Sequence, residues 1–257
     1  MRENREAAAS EFPAARQARI DLAACHRVAA RLGLHEGIDN HMTLLVPGHR
    51  DRFYLAPFGL HWSEVRASDF MEIDFDGRIC AGTGPVEDTA LHIHLQTHKR
   101  APRARCVLHT HMPYATALCA LKNPRLEMIV QSALTFHDDI SYEADYGGLA
   151  FDDGEGARLA QALGDKSVLM MRNHGVLVIG RSVAEAFERL YFLERACQVQ
   201  VLALSTGREL APVPADVART AVAQFASGTT VGGIERTEWH FAAWKRLLDR
   251  SEADYAT

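Results

Sequence analysis

The run Val107-Leu108-His109-Thr110-His111, with Met112-Pro113-Tyr114 directly after it, constrains the fold more than any other stretch. An apolar run ending in His-x-His reads as a strand, and strand side chains alternate, so residues two apart point to the same side. His109 and His111 therefore leave one strand end together, where they can grip one ion. Zinc takes nitrogen ligands at about 2.0–2.1 Å in a tetrahedron, and a catalytic zinc site keeps three protein ligands and one open position. A third ligand is expected, and the best candidate is His174 in Met171-Arg172-Asn173-His174-Gly175. It interrupts two apolar runs, Val168–Met171 and Val176–Ile179, and the glycine beside it allows a tight turn. The plain alternatives are a hydrogen-bonded pair at a strand end for His109 and His111, and a turn residue for His174.

The chain has 13 histidines, so other pairings compete. His92-Ile93-His94 is a second His-x-His, but it lies in Glu87–His98, whose spacing is helical. On a helix, residues two apart diverge and cannot share an ion, whereas His94 and His98, four apart, lie on one face. They form a second candidate pair, set against ordinary helix packing.

At 257 residues and 47% hydrophobic composition the chain can bury a large single core. Residues 1–14 read as a loose arm and 15–257 as one domain, since no linker or composition shift divides them. The net charge of −5 gives no basic excess for nucleic acid. Five scattered cysteines without a C-x-x-C pattern imply neither disulfides nor a thiolate metal site, which favours the reducing cytoplasm. The N-terminal residues lack an apolar signal core, and nowhere do 18 apolar residues run together, so neither export nor a membrane span is expected.

Periodicity predicts a helix from Ala15 to Leu34, stopped at Gly33, then a strand over Asp39–Val46 with Phe53–Ala56 as its hairpin partner. A further strand at Phe70–Phe75 turns through Asp76-Gly77 to Arg78–Cys80. A helix follows from Glu87, then the His-x-His strand, then a helix started by Pro113. Asp152-x-x-Glu155 and Ser182-x-x-Glu185 are capping arrangements, the second for a long helix to Ser205 that is apolar over much of its surface and so covers a sheet. A helix near Ala215–Phe225, a Gly-rich loop at 228–233 and a last helix from Thr237 to Arg250 complete the chain. These elements predict an α/β fold, a three-layer α/β/α sandwich around a central, mostly antiparallel sheet.

At the residues already singled out, the chain resembles the class II aldolase/adducin family. His109-Thr110-His111 with Pro113-Tyr114, an acidic residue about twenty positions earlier, and Asn173-His174-Gly175 before a long helix carry the resemblance, which runs from about Ile20 to Arg250. It implies that His109, His111 and His174 hold Zn2+, or Mn2+ or another divalent ion, and that Glu87 is a metal ligand or acid/base with Tyr114 as a second catalytic residue. The 22 residues from Glu87 to His109 exceed the usual interval by about three, and a first-turn glutamate that stabilises a helix N-terminus is the alternative for Glu87. The resemblance also implies a homotetramer, and Trp239, Phe241 and Trp244 on the last helix offer either an interface or a face folded back on the sheet.

Three imidazoles leave the full double charge of an ion uncompensated, a strong Lewis acid for a carbonyl or enediolate. The sugar-phosphate members of the family cradle a phosphate with Ser/Thr-rich turns that match Asn40–Thr43, Ala56–Gly59 and Gly84–Val86. Here Asn40 and Thr43 remain, but Phe58, Pro85 and Val86 stand where hydroxyls are expected, and His61 and Trp62 follow. A phosphate needs several converging donors. A small unphosphorylated hydroxy or oxo acid is therefore expected, with Asn40, Thr43, Phe58 and Gly59 as substrate-binding residues. The leading reading is a metal-dependent lyase acting on a C–C bond next to a carbonyl through a metal-stabilised enediolate. A decarboxylase on the same scaffold and a non-catalytic adducin-like interaction module are the alternatives.

Overall fold

The structure, a computed structural model, describes residues 13–257; the expected arm lies outside them except for Pro13 and Ala14, which already belong to the first helix. The sheet has eight strands: β1 (His41–Leu45), β2 (Arg52–Leu55), β3 (Met71–Asp74), β4 (Ile79–Ala81), β5 (Cys106–Thr110), β6 (Ile140–Glu143), β7 (Val168–Met171) and β8 (Val176–Gly180). Their order is β4-β3-β2-β1-β5-β8-β7-β6. Every neighbouring pair is antiparallel except β6 and β7. The His-x-His strand is thus central, paired with β1 on one side and β8 on the other.

Alternation along the strands builds two cores. Cys106, Leu108, Val168, Met170, Val176 and Val178 face one side, where α1 (Pro13–Arg31), α3 (Pro113–Cys119) and α6 (Val183–Leu204) cover them. Val107, Leu169, Leu177 and Ile179 face the other, against Ile93 of α2 (Asp88–Arg100) and Leu159 and Leu163 of α5 (Asp153–Leu163). This is the expected three-layer arrangement, a mixed sheet flanked by helices. Local chemistry sets the helix starts. The Ser182 hydroxyl accepts from Glu185 N at 3.2 Å, Asp152 Oδ1 accepts from Glu155 N at 2.9 Å, and Pro113 takes the first position of α3.

Two features differ from expectation, and a third falls on one of two expected alternatives. The Gly-rich stretch is a small hairpin after α7 (Ala215–Ser227), with β9 (Thr230–Val231) and β10 (Ile234–Glu235) joined through Gly232 and Gly233 at φ 61° and 79°. Both glycines supply the positive φ that a tight hairpin turn demands. Strand β6 and the one-turn α4 (Gln131–Leu134) carry no clear periodicity, β6 being half-buried at all four positions. In α8 (Arg236–Ser251), Phe241 is buried and Trp244 packs on the core, while Trp239 is 45% exposed. Most of that aromatic face has folded back on its own domain.

Candidate metal centre

The three histidines converge. His109 stands at the end of β5, opposite His41 on β1 and Leu177 on β8, so its side chain emerges on the α2 side of the sheet. His111 lies just past the strand end. The turn from β7 to β8 then brings His174 to them: the ring centroids lie 4.8 Å apart for His109 and His174, and 5.0 Å for His109 and His111 and for His111 and His174. One ligand atom from each falls within 4.8 Å of the other two, the one such group of three among the described residues.

Backbone shape makes this turn possible. Asn173 has φ 57°, a left-handed conformation that asparagine tolerates. A Cβ on Gly175 would lie 2.6 Å from Thr110 O and 2.7 Å from His111 Cδ2, so only glycine lets the turn approach the strand end.

Hydrogen bonds fix which ring nitrogen is available. His109 Nδ1 donates to Val176 O at 2.9 Å and His111 Nδ1 to Glu36 Oε2 at 2.7 Å, leaving Nε2 on each as the lone-pair atom. His111 Nε2 is buried without a hydrogen-bond partner. Burial, with neighbouring histidines next in weight, holds His109 well below the ordinary imidazole range and His174 at about 4. Two rings with Nε2 left free by their Nδ1 bonds, one of those nitrogens buried and orphaned, and a third imidazole beside them are what a divalent cation requires, and the donor set fits zinc or manganese.

The structure distributes the other expected residues around this cluster. Asn40 Oδ1 accepts from Glu36 N at 2.8 Å and from His111 N at 3.2 Å, so it ties both the Glu36 loop and the His111 backbone. Asn40, Phe58, Gly59 and Glu87 share the wall of a small cavity with His41 and Trp62. Thr43 is not there. It shares the His41 face of β1 but lies further along the strand under α2, fully buried, with its hydroxyl between His94 Nδ1 at 2.5 Å and His98 Nε2 at 2.8 Å. The His94 and His98 pair is thus bridged by a hydroxyl.

Glu87 is the N-cap of α2. Its carboxylate accepts from Thr89 N at 3.1 Å, Thr89 Oγ1 at 2.6 Å and Ala90 N at 2.7 Å, and its Oε2 lies 3.8 Å from His41 Nε2. It is not among the three clustered ligands. Tyr114 lines a separate cavity of about 120 Å³ with Leu34, Tyr191 and Glu194, and its backbone N–H donates to Glu194 Oε1. Its place in the first turn of α3 sets Tyr114 beside Tyr191 and Glu194 of α6. Sequence reasoning missed Glu36 and His41. His41 was signalled by its place two residues before Thr43 in an apolar strand; Glu36, in an irregular loop, had no periodic signal.

The fold and the three-histidine centre define a class of protein, and similarity to known chains agrees. Residues 20–201 match the family described as the class II aldolase and adducin N-terminal domain. The chain belongs to this family. It is 34% identical over 241 residues to a protein of Caulobacter vibrioides whose name places it with the class 2 aldolases, covering 93% of this chain and 92% of that one. The crystal structure of an aldolase II superfamily protein from Pseudomonas syringae superposes with a TM-score of 0.87 at 35% identity, over 96% of this chain and 98% of that one. Mouse alpha-adducin is 35% identical over 192 residues, 73% of this chain but 26% of that longer protein. Among the described residues no helix is long and apolar enough to cross a membrane.

Proposed function

We propose that the chain is a divalent-metal-dependent lyase that breaks or forms a C–C bond beside the carbonyl of a small, unphosphorylated hydroxy or oxo acid, working as a homotetramer in the cytoplasm. The observation that carries this reading is the convergence of His109, His111 and His174 with His111 Nε2 buried and unpartnered. A divalent ion held there supplies Lewis-acid polarisation of a carbonyl oxygen at full charge, since imidazoles bring no negative charge.

The chain's own residues do the rest. Glu36 and Val176 O hold the His111 and His109 rings in orientation, and Asn40 fixes the backbone between them. Phe58 and the turn around Gly59 give the neighbouring cavity an apolar wall where a phosphate cradle would need hydroxyls. Glu87 reaches this region through Oε2, and proton transfer at that atom is the role proposed for it. A second reading, a non-catalytic adducin-like module, draws support from the similarity to alpha-adducin and from the cap bonds that occupy both oxygens of Glu87.

Screening hydroxy and oxo acids against zinc-loaded protein tests the choice. Aldehyde release identifies the lyase and carbon dioxide release the decarboxylase; no turnover with any acid overturns the enzyme reading. If Glu87 moves the proton, Glu87→Gln keeps the metal and loses about 10²–10⁴-fold in rate. Unchanged turnover in that variant returns Glu87 to its cap.

A further inference from the structure

Behind the metal cluster runs a line of buried polar side chains that the proposed reaction does not use. His98 Nδ1 lies 2.7 Å from Ala104 O, Thr43 Oγ1 lies 2.8 Å from His98 Nε2 and 2.5 Å from His94 Nδ1, and His94 Nε2 lies 2.7 Å from His41 Nδ1. All four residues are buried. None of the three buried rings has a carboxylate within hydrogen-bond distance, Glu87 being 3.8 Å from His41, so a second proton on any of them would be an uncompensated buried charge and each ring is neutral. A neutral imidazole has one donor and one acceptor nitrogen, and a hydroxyl has one hydrogen.

The far end fixes the direction of every bond. A carbonyl only accepts, so His98 Nδ1 donates to Ala104 and His98 Nε2 must accept from the Thr43 hydroxyl. That hydroxyl has then spent its hydrogen and accepts from His94 Nδ1. His94 Nε2 in turn accepts from His41 Nδ1. His41 Nε2 is left as a lone pair. It faces Glu87 Oε2, a second acceptor, at 3.8 Å, and its ring lies 4.8 Å from that of His109. Both acceptors border a cavity of about 30 Å³, the room of a hydroxyl or a water. The Glu87 oxygens already accept the cap bonds of α2, but His41 Nε2 is satisfied from this space only by a donor hydrogen.

We propose that His41 is a fixed hydrogen-bond acceptor beside the metal centre, so that the site selects ligands with a hydroxyl hydrogen next to their metal-chelating oxygen. This rests on the metal reading above and adds the residue that discriminates a hydroxy acid from its oxo or ether counterpart.

Two measurements test it. Side-chain ¹⁵N spectra of the histidines should show His41 protonated at Nδ1 and bare at Nε2; the opposite tautomer overturns the proposal. Calorimetry on zinc-loaded protein should then show glycolate binding about fivefold to tenfold more tightly than methoxyacetate, which has the same oxygens but no hydroxyl hydrogen, the worth of roughly one net hydrogen bond. His41→Leu should abolish that preference with zinc content unchanged, and His41→Gln, which restores an acceptor, should recover part of it. If His41→Leu does not fold, Thr43→Val, which breaks the chain two links away, should lower the preference while Thr43→Ser keeps it. A preference that survives in these variants overturns the proposal. Failure to hold zinc sinks the metal reading instead, and the tautomer alone then decides whether His41 is the acceptor.

Discussion

One hydrogen atom at Gly175 separates a formed site from a distorted one. An added methyl would sit 2.6 Å from Thr110 O and 2.7 Å from His111 Cδ2, well inside contact distance, and neither the backbone oxygen nor a ring held by Glu36 has room to yield. Gly175→Ala should therefore push the His174 turn away and weaken zinc binding by at least about tenfold, as read by competition with a chromogenic chelator; a displacement of this kind costs on the order of 1–3 kcal/mol. Unchanged affinity would show that the turn adapts. The same scale decides substrate class. Phe58 borders the cavity beside the cluster and is 41% exposed, and no hydroxyl replaces it at Pro85 or Val86. Zinc-loaded protein should turn over ketose and aldose 1-phosphates poorly compared with hydroxy or oxo acids, and efficient cleavage of a sugar phosphate would refute this.

At the level of elements, α1, β1 and α2 each bury a histidine, His26, His41 and His98, and the β7 to β8 turn half-buries His174; desolvation holds them at about 4, 3, 4 and 4. The folded values lie below the unfolded value near 6.5, so the unfolded chain binds these protons first as pH falls. Their contribution to stability is complete above about pH 6.5 and is lost as pH drops toward about 4. Urea melts of metal-free protein should show the unfolding free energy, and with it the midpoint, falling from pH 7 to pH 5, the free energy by up to roughly 1.4 kcal/mol per pH unit per histidine. A midpoint independent of pH across that window would mean that these rings are hydrated. Elements with a repeat long enough to show a period were legible in the sequence: the capped helices, the β1–β2 hairpin and the alternating strands under them. What escaped was non-local. Nothing in Ile140–Glu143 announces pairing with β7, because its partner is set by the chain returning through α5. In the site, the His-x-His and the glycine-flanked histidine were readable because alternation and turn geometry are local. That Thr43 lies under α2 and Tyr114 against α6 was not legible, because a motif position does not say what packs over a side chain. Glu36 and His41 were missed because their partners lie 75 and 53 residues away.

For the whole molecule, the C-terminal end is part of the core. Phe241, Leu248 and Tyr255 are buried, and Arg27, itself buried, binds Asp254 at 2.9 Å and Glu252 at 3.5 Å. Removing residues from Thr237 onward deletes several large buried side chains, each worth about 2–5 kcal/mol, from a fold whose total margin is about 5–15 kcal/mol. The truncated chain should fail to fold, as judged by loss of its cooperative melting transition. The proposed tetramer is better probed at Trp239, whose ring is exposed and whose Nε1 donates only to Val231 O. Trp239→Asp should lower the mass seen by sedimentation if α8 forms an interface, and an unchanged tetramer would place the contact elsewhere. The account as a whole depends on one ion held by three imidazoles from two distant segments. Metal analysis of protein purified without added ions, run beside His111→Ala, tests this directly. Near-stoichiometric zinc or manganese in the parent protein, and its loss from a variant that keeps its circular dichroism, is the predicted result; a parent protein free of metal, or a variant that retains it in full, would contradict the account.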